Sequence, residues 1–523
     1  MGGCSALNYF TWVRGSHGSY DDWAPFGGKT WDWNSCEEYF DKPANYHDDS
    51  RKYAPKLAKV GRKGPLDVAI SDMVPELETF RQALTKAWVS KGERLTENVY
   101  EGQQNGLVKC MNTIYKGVRS TSVCFLDGKS NITIMAETQV KKLLIEDSVC
   151  IGVLGVDNYG SDVELRAKHE VIVSSGVFES PKMLMLSGIG PKEQLAQFGI
   201  ECKVDSPNVG QNLQDHPIMP HVFKIKDGVG LDSHLLRNGY EKEAATQAYQ
   251  RDHTGPYHSG LLELVGFPRV DKRLEAYPEY LKMKEANGGL DPFGPDGQPH
   301  FEIDFVPVFA NAFQWHFPTP VSGDHLTVIV DLLRPVSKPG EIRLRSSSYK
   351  DQPYINLNFF ADDMDILTLR EGVRFVDDIL MNGEGMKDLI EADYPWPMPR
   401  ASDEAMNRAI LERSQTGFHP CGTNRLSQDI KQGVVDPGLR VHGVKNLRVI
   451  DASVFPLIPD CRIQNVVYMV AEKVCRPNLI LSPETVTNRP AGCRCYQGRP
   501  QRSVSRILSS DGWDHQVRAS LDL

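Results

Sequence analysis

The segment EVIVSSGVFESPKMLML, residues 170–186, decides the fold class of this chain. Its first residues have the Ile and Val content of a buried strand, Gly176 supplies a tight turn, and an apolar run continues to Leu186. Ser180 is predicted to cap the following helix, with Pro181 at its first position. A strand, a glycine turn and a helix in this order are typical of an α/β protein.

The same pattern recurs near the C-terminus. Residues 446–456, NLRVIDASVFP, predict an apolar strand that ends at Asp451, and residues 460–473, DCRIQNVVYMVAEK, have helical character. Strand ends that carry Gly, Asp and Ala beside a helix start are where α/β sheets bind nucleotides. The two segments together therefore predict a nucleotide-binding domain.

The region between these segments follows a different pattern. Residues 284–300 are rich in Gly and Pro and predict a long loop. Residues 325–346 predict long strands around a turn, and residues 363–382 predict an amphipathic helix. A sheet backed by helices, inserted between two nucleotide-type segments, indicates a second domain that forms the substrate side.

Composition limits the class of protein. A chain of 523 residues with 40% hydrophobic content can bury a large core and is long enough for two or three domains. The net charge of −9 and the lack of a long basic run argue against nucleic acid as a partner. No stretch approaches the roughly 20 apolar residues of a membrane-spanning helix, so we expect a soluble protein without a membrane partner.

Cysteine usage bears on the cellular compartment. The 11 cysteines are an odd number without the spacing of paired metal ligands, which predicts no metal site and favours reduced, cytoplasmic thiols. The sequon at Asn131 weakly favours secretion instead. A signal peptide lost with the N-terminus would also be compatible with the sequence.

Four segments in this order resemble the glucose-methanol-choline (GMC) oxidoreductases, flavoenzymes that oxidise alcohols with FAD. The resemblance extends over residues 1–473, and four ordered motifs make a chance agreement improbable. The segments are GGCSALNYFTWVRG at 2–15, SSGVFESPKMLMLSGIGP at 174–191, VGQNLQDHP at 209–217, and HPCGTNRL at 419–426 followed by LRVIDASV at 447–454.

The resemblance implies a mixed α/β fold with two domains. Residues 1–220 and 431–475 are expected to form a discontinuous, Rossmann-like FAD-binding domain. Residues 221–430 are expected to form a substrate domain with an antiparallel sheet backed by helices. Residues 476–523 have no lysine and few apolar clusters, so we expect a disordered tail.

One part of the family pattern is missing from the chain. In the family, a strand and a G-x-G-x-x-G turn precede the first motif, whereas Met1 stands directly before Gly2 in this chain. We therefore expect a truncated FAD-binding domain that lacks its first βαβ unit. Such a chain is expected to bind FAD weakly or not at all.

The resemblance also assigns residues to the cofactor. Leu7 falls where some relatives carry the His that bonds to flavin, so FAD is expected to be non-covalent. Glycine at 2 and 3 lets the backbone approach a ligand closely, although an ordinary tight turn would use the same residues. The expected cofactor-binding residues are Gly2, Gly3, Ser5, Asn8, Thr11, Val140, Asp451, Ala452 and Gln464.

His419 and Arg462 are the expected catalytic residues. Imidazole suits the base that removes a hydroxyl proton while hydride leaves carbon, and His419 holds the family's place for this base. Arg462 stands where the family usually has His or Asn. It could hold a substrate oxygen, bind an acidic substrate, or form an ion pair with Asp460 or another carboxylate and take no part in chemistry.

These observations predict an FAD-dependent oxidoreductase that acts on the CH–OH group of a small-molecule alcohol. Hydride would pass from the alcohol to flavin N5, with His419 as the base. Two alternatives remain open at the level of sequence. Flavin can also serve a lyase or cyclase on the same fold, and a truncated chain that cannot hold FAD would be inactive.

Overall fold

The structure is a computed structural model, and it describes residues 1–48, 64–70, 73–96, 99–310 and 316–474. The helices in chain order are α1 His17–Asp21, α2 Ala24–Gly27, α3 Trp33–Asp41, α4 Glu78–Ser90, α5 Gly176–Leu186, α6 Lys192–Gln197, α7 Tyr240–Asp252, α8 Asp271–Leu274, α9 Pro278–Ala286, α10 Asp363–Asn382, α11 Asp403–Arg413 and α12 Gln464–Val474. The strands are β1 Ala44–His47, β2 Leu66–Ile70, β3 Gly106–Lys109, β4 Met111–Asn112, β5 Ile114–Tyr115, β6 Val118–Arg119, β7 Gln139–Glu146, β8 Val149–Val156, β9 Asp162–Arg166, β10 Val171–Val173, β11 Ile189–Gly190, β12 Val204–Asp205, β13 Gln211–Leu213, β14 Pro217–Ile225, β15 Leu264–Phe267, β16 Phe301–Val306, β17 Asp324–Leu332, β18 Gly340–Arg343, β19 Tyr354–Asn356, β20 Ile390–Tyr394, β21 Gln415–Thr416 and β22 Leu447–Val449.

An antiparallel sheet of seven strands forms the substrate side of the described chain. Its order is β20-β14-β17-β16-β15-β3, and β21 pairs with β14. Every residue of β16 and β17 is buried, because these central strands are covered on both faces. The predicted helix at 363–382 is confirmed as α10, which contacts β17 and shares its hydrophobic cluster. The sheet is therefore backed by helices, as expected.

A parallel pair of strands forms the nucleotide-type unit. β10 pairs with β22, and α5 follows β10 directly. The predicted cap at Ser180 is wrong, because α5 begins at Gly176 and Pro181 lies inside it. A proline at 181 has no N–H to offer the carbonyl of Val177. The hydroxyl of Thr423 donates to that carbonyl instead, at 2.6 Å, so the helix continues through the proline.

The two strands predicted in residues 325–346 do not form a hairpin. β17 lies in the large sheet, whereas β18 pairs with β13 and β19 in a separate one. The carboxylate of Asp365 accepts the N–H groups of Val336 and Ser337 at 2.7 and 3.0 Å. This contact holds the connection against the start of α10, so β18 cannot return alongside β17.

The position of β3 bears on the domain division. This strand comes from the part of the chain expected to bind FAD, yet it pairs with β15 at the edge of the large sheet. The boundaries at 220 and 430 stay a prediction. The expected tail, 476–523, lies outside the described residues.

Two further features concern the surroundings of the chain. None of the described helices combines the length and the apolar character that crossing a membrane requires. The cysteines within the described ranges are all free thiols, and most of them are buried.

Candidate active site

Arg462 is bound to two buried carboxylates of the large sheet. It lies just before α12, and its Nε is 2.9 Å from Oε1 of Glu302, while its Nη2 contacts Asp304. Both acids belong to β16, and because side chains alternate along a strand, they project from the same face. Their side chains have no solvent exposure. The guanidinium therefore neutralises carboxylates that water does not reach.

Asp460 was one expected partner of Arg462, and the structure assigns it a different role. Its carboxylate accepts hydrogen bonds from the backbone N–H of Ser16 at 2.9 Å and the hydroxyl of Ser19 at 2.6 Å. It accepts a further bond from the Ser16 hydroxyl. Asp460 therefore anchors the start of α1, and the ion pair of Arg462 forms with the sheet instead.

A small cavity lies beside Arg462. The volume of the cavity is about 130 Å³. Nη1 of Arg462 is 3.5 Å from the hydroxyl of Thr11. Arg462 is the one cationic side chain among its described lining residues. Most of the lining is apolar, and it comprises Tyr9, Leu235, Leu236, Gly260, Leu261, Leu262, Asp304, Val306, Val308, Phe309, Ala310, Ile329 and Arg462.

His419 lies in a turn that follows β21, and its side chain is 13% exposed. Its backbone N–H donates to Oδ1 of Asp215 at 3.0 Å, and its Nδ1 is 3.1 Å from Nδ1 of His216. Burial lowers the pKa of His419 to about 4. The imidazole is therefore neutral at pH 7 and has a lone pair with which it can accept a proton.

Strand register connects His419 with the cavity. Glu302 on β16 lies directly opposite Asp331 on β17, and Oδ2 of Asp331 is 3.8 Å from Nδ1 of His419. Ile329, two residues earlier on the same face of β17, lines the cavity. The structure thus brings the expected base and the expected cation to neighbouring positions on one face of the sheet.

The backbone of the N-terminal loop is not covered by neighbouring atoms at Gly3. Gly2 and Gly3 have φ of 102° and 53°, in the left-handed region, and a Cβ added at Gly3 would meet nothing within 4 Å. The hydroxyl of Ser5 donates to the carbonyl of Gly2 at 2.6 Å and accepts from the N–H of Ser122 at 2.9 Å. Ser5 therefore shapes the loop with its side chain, and Gly3 offers its backbone to a ligand.

Polar side chains connect this loop with the start of α12. The amide of Asn8 donates to Oε1 of Gln464, the first residue of that helix. The side-chain oxygen of Asn8 accepts from Arg119 at 2.9 Å. Thr11 is buried beside them, and its backbone bridges to Asn112. Three expected cofactor residues are thereby brought to one place.

Asp451 joins the ends of the parallel strands to α5. Its Oδ2 accepts from the N–H of Gly176 at 3.0 Å and from the hydroxyl of Ser180, while Oδ1 accepts from the N–H of Ser453 at 2.8 Å. Ala452 follows it and is buried. Val140 lies apart from these residues in sequence, on β7 of another sheet.

The chemistry of these residues fits FAD. A helix that begins directly after a parallel strand offers N–H groups and a positive dipole end to an anion. Gly176 at that point has φ of 84°, and a Cβ there would also meet nothing within 4 Å. Open backbone at Gly3 and Gly176, with amide side chains beside the first of them, suits a cofactor that is anionic in one part and flat and polar-edged in another.

Comparison with known proteins identifies the family. The family model described as GMC oxidoreductase matches residues 1–218 with its N-terminal part and residues 335–471 with its C-terminal part. The chain belongs to the GMC oxidoreductase family. Members of this family are FAD-dependent enzymes that oxidise alcohol-like substrates. The predicted family, the mixed α/β fold class and FAD as cofactor are thus confirmed, whereas the predicted truncation and the weak FAD binding expected from it stay predictions.

Several relatives resemble this GMC oxidoreductase over most of its length. Formate oxidase of Aspergillus oryzae RIB40 is 56% identical, with a TM-score of 0.90, and the match covers 92% of this chain and 83% of that one. The matched structure is that of a variant in which an arginine is replaced by alanine, and it concerns the effect of this mutation on FAD modification. Oxygen-dependent choline dehydrogenase of Pseudomonas fluorescens SBW25 is 28% identical, over 96% of this chain and 84% of the relative. A fungal aryl-alcohol oxidase, 23% identical with a TM-score of 0.77, shares the fold over 92% of this chain and 85% of its own.

Sequence reasoning did not select several residues of the site. Asp215 and His216 stand in the third family segment, 209–217, but were not assigned a role. Glu302 and Asp304 were missed because their strand, FEIDFV, alternates apolar and acidic residues, which is the pattern of a strand whose polar face meets solvent. The burial of both faces of this strand shows only in the fold, where each carboxylate requires a partner.

Removal of Arg462 is expected to destabilise this GMC oxidoreductase. Arg462→Ala would leave Glu302 and Asp304 buried without a cation, which costs about 3–5 kcal/mol. Because burial raises the pKa of Glu302, the loss should be largest near pH 7 and smaller near pH 4, where the carboxyls take up protons. Urea unfolding at both pH values measures it.

The control for this experiment neutralises the acids together with the arginine. Arg462→Ala combined with Glu302→Gln and Asp304→Asn should recover most of the lost stability at pH 7. Arg166→Ala, which breaks an exposed ion pair with Glu164, should have little effect. Equal stability of wild type and Arg462→Ala at pH 7 would contradict the buried ion group.

Replacement of Asp451 is expected to weaken FAD binding. Asp451→Ala removes the acceptor that fixes the N-terminus of α5, so the helix dipole and the backbone of Gly176 lose their orientation. We expect at least a tenfold increase in the FAD dissociation constant, measured by flavin fluorescence. Asp436→Ala is a matched control, because Asp436 also accepts two backbone N–H groups, at 2.8 and 2.9 Å, but in another loop. Equal losses of FAD affinity in both variants would contradict the assignment.

Proposed function

We propose that this GMC oxidoreductase oxidises formic acid, with FAD bound non-covalently, His419 as the base and Arg462 as the group that holds the substrate's carbonyl oxygen. Formic acid contains the same H–C–O–H unit as an alcohol. The observation that carries the proposal is the small cavity at Arg462, about 130 Å³ in volume. The 56% identity to a formate oxidase supports it.

The charge of the cavity favours the neutral acid over the formate anion. The positive charge of Arg462 is already matched by Glu302 and Asp304. An added anion would approach two carboxylates in a region that water does not reach, which is unfavourable. A neutral carboxylic acid avoids that repulsion, because its carbonyl oxygen accepts from Nη1 and its hydroxyl donates to a base.

The apolar lining of the cavity disfavours a cationic alcohol such as choline, because a charge buried among apolar side chains costs free energy. Arg462 is a cationic residue that lines the cavity, and the other lining residues are mainly Leu, Val and Ile. Leu235, Leu236, Leu262 and Val308 offer an apolar surface to a small neutral substrate. The substrate class proposed for this chain is therefore a small neutral molecule with an H–C–O–H unit.

The reaction follows from the groups that face the substrate. The hydroxyl proton passes to Nε2 of His419, which is neutral because burial lowers its pKa to about 4. Arg462 stabilises the negative charge that develops on the substrate oxygens as the proton leaves. Bound FAD supplies the hydride acceptor. The carbon gives up its hydrogen with both bonding electrons, so formic acid becomes carbon dioxide, with its proton on His419.

Replacement of the base tests this assignment. His419→Ala should lower kcat/KM by roughly 10²- to 10⁴-fold, the usual contribution of a general base. Single-turnover bleaching of the flavin absorbance under anaerobic conditions measures the effect on the chemical step. His169→Ala, at an exposed position, should leave it unchanged. Bleaching at the wild-type rate in His419→Ala would rule out the proposed base.

The pH profile tests the charge state of the substrate. Below about pH 4, His419 becomes protonated and loses its function as base. Above about pH 4, the usual pKa of a carboxyl group, the neutral acid is depleted tenfold per pH unit. We therefore expect kcat/KM for formate to peak near pH 4 and to fall on both sides.

Methanol provides the matched control, because it does not ionise in this range. Its kcat/KM should rise with pH to a plateau above about pH 5, set by His419 alone. A plateau for formate at pH 6–8 would show that the anion reacts, contrary to the proposal. Stopped-flow reduction of the flavin across pH 3–8 separates the two profiles.

A further inference from the structure

His216 is the closest titratable neighbour of His419. It is fully buried, immediately before β14. Its Nε2 is 3.1 Å from the backbone carbonyl of Pro459, and its Nδ1 is 3.1 Å from Nδ1 of His419. Both of its ring nitrogens are thus engaged, which leaves His216 no atom with which to contact substrate.

The carbonyl of Pro459 fixes the tautomer of His216. A carbonyl oxygen has no proton, so Nε2 of His216 must carry the hydrogen of that contact. Burial lowers the pKa of His216 well below its usual value, so the ring is neutral and carries one proton. Nδ1 of His216 is consequently unprotonated, and its lone pair accepts a hydrogen bond.

The tautomer of His419 then follows from that of His216. Two lone pairs 3.1 Å apart would repel each other, so Nδ1 of His419 must supply the proton between them. A neutral His419 has one ring proton, which leaves its Nε2 unprotonated. Within the described ranges, Nε2 of His419 forms no hydrogen bond with the protein, so its lone pair remains available as a base.

The backbone holds the two rings in this arrangement. Oδ1 of Asp215 accepts the N–H groups of both His216 and His419, at 2.8 and 3.0 Å. The N–H of Gly417 donates to the carbonyl of His216 at 2.7 Å, and the hydroxyl of Thr416 donates to Asp215. One carboxylate therefore connects segments 204 residues apart in sequence.

Asp331 faces the pair of imidazoles from the large sheet. Its oxygens are 3.9 Å from Nδ1 of His216 and 3.8 Å from Nδ1 of His419. Neither oxygen has a hydrogen-bond partner in the described part of the chain, and the side chain is 1% exposed. The acidic side chain lies at nearly equal distances from the two Nδ1 atoms and so favours a proton between the rings, while the carbonyl of Pro459 decides which ring carries it.

We propose that His216 is a positioning residue that sets His419 in the tautomer with its proton on Nδ1, so that Nε2 is the atom that takes the substrate proton. The role of His216 rests on the proposed function of His419 as base. His216 itself contacts neither substrate nor cofactor. It disfavours the other tautomer of His419, in which Nε2 would carry a proton and could not accept another.

Tautomers are measured directly by long-range ¹H–¹⁵N NMR of the FAD-loaded protein labelled with ¹⁵N-histidine. The signals of His419 are assigned by their loss in His419→Ala. We expect the wild type to show His419 protonated at Nδ1 and bare at Nε2. Protonation of His419 at Nε2 in the wild type would overturn the proposal, whatever the activity.

Variants of His216 add a second readout. His216→Leu removes the acceptor, so His419 should shift toward the Nε2-protonated tautomer, and kcat/KM should fall at least about tenfold, as expected for a base in the wrong tautomer. His216→Asn keeps an oxygen acceptor near the place of Nδ1 and should restore the wild-type tautomer and part of the activity. An unchanged tautomer in His216→Leu would overturn the proposal.

The design separates failure of this inference from failure of the proposed function. Full flavin reduction in His419→Ala would remove the base role of His419, while the NMR result still decides whether His216 sets its tautomer. Thermal unfolding and the flavin spectrum establish that each variant is folded. A fall in activity that is equal in His216→Leu and His216→Asn, without a change of tautomer, would show that His216 is only a structural residue.

Discussion

The contact between Arg462 and the two acids of β16 constrains the rest of the site. Burial of an ion costs several kcal/mol, and it is offset only when a counter-ion meets it with good geometry. Glu302 and Asp304 have no solvent exposure. The segment before α12 must therefore reach across to the sheet, because Arg462 is the cation that forms ion pairs with both of these carboxylates. The nucleotide side and the substrate side of the enzyme are joined at this point.

The ion pair of Arg462 also bears on how the proposed roles of charge stabilisation and proton transfer are divided within the site. Arg462 stays charged and can hold an oxygen, but its pairing with two acids leaves little attraction for a free anion. His419 lies on the same face of the sheet beside Asp331 and changes its charge instead. Because burial lowers the pKa of His419 to about 4, the proposed proton transfer and the proposed charge stabilisation involve different residues. Each function therefore depends on the surroundings of one side chain.

Much of the fold could be predicted from local patterns, and the remainder depends on distant contacts. α10 was predicted from its periodicity with the correct ends. The start of α5 was not, because Thr423, far away in sequence, satisfies the carbonyl that Pro181 leaves without a partner. In the site, family motifs located His419 and Arg462. The acids of β16 escaped prediction because an alternating strand such as FEIDFV normally places its polar residues in solvent, and only the folded sheet shows that they contact Arg462.

His216 extends this argument to a residue that motif recognition passed over. Its segment was recognised, yet a motif does not state which atom of a ring carries a proton. That information comes from the carbonyl of Pro459, which accepts from one nitrogen of His216 and thereby fixes the other. The proposed base of this enzyme is thus oriented by a chain of hydrogen bonds that begins at the backbone oxygen of Pro459 and ends at Nδ1 of His419, which leaves the lone pair on Nε2. In this proposal, a substrate with an H–C–O–H unit meets a lone pair whose position is set through His216 and the carbonyl of Pro459, in contacts that involve neither substrate nor cofactor.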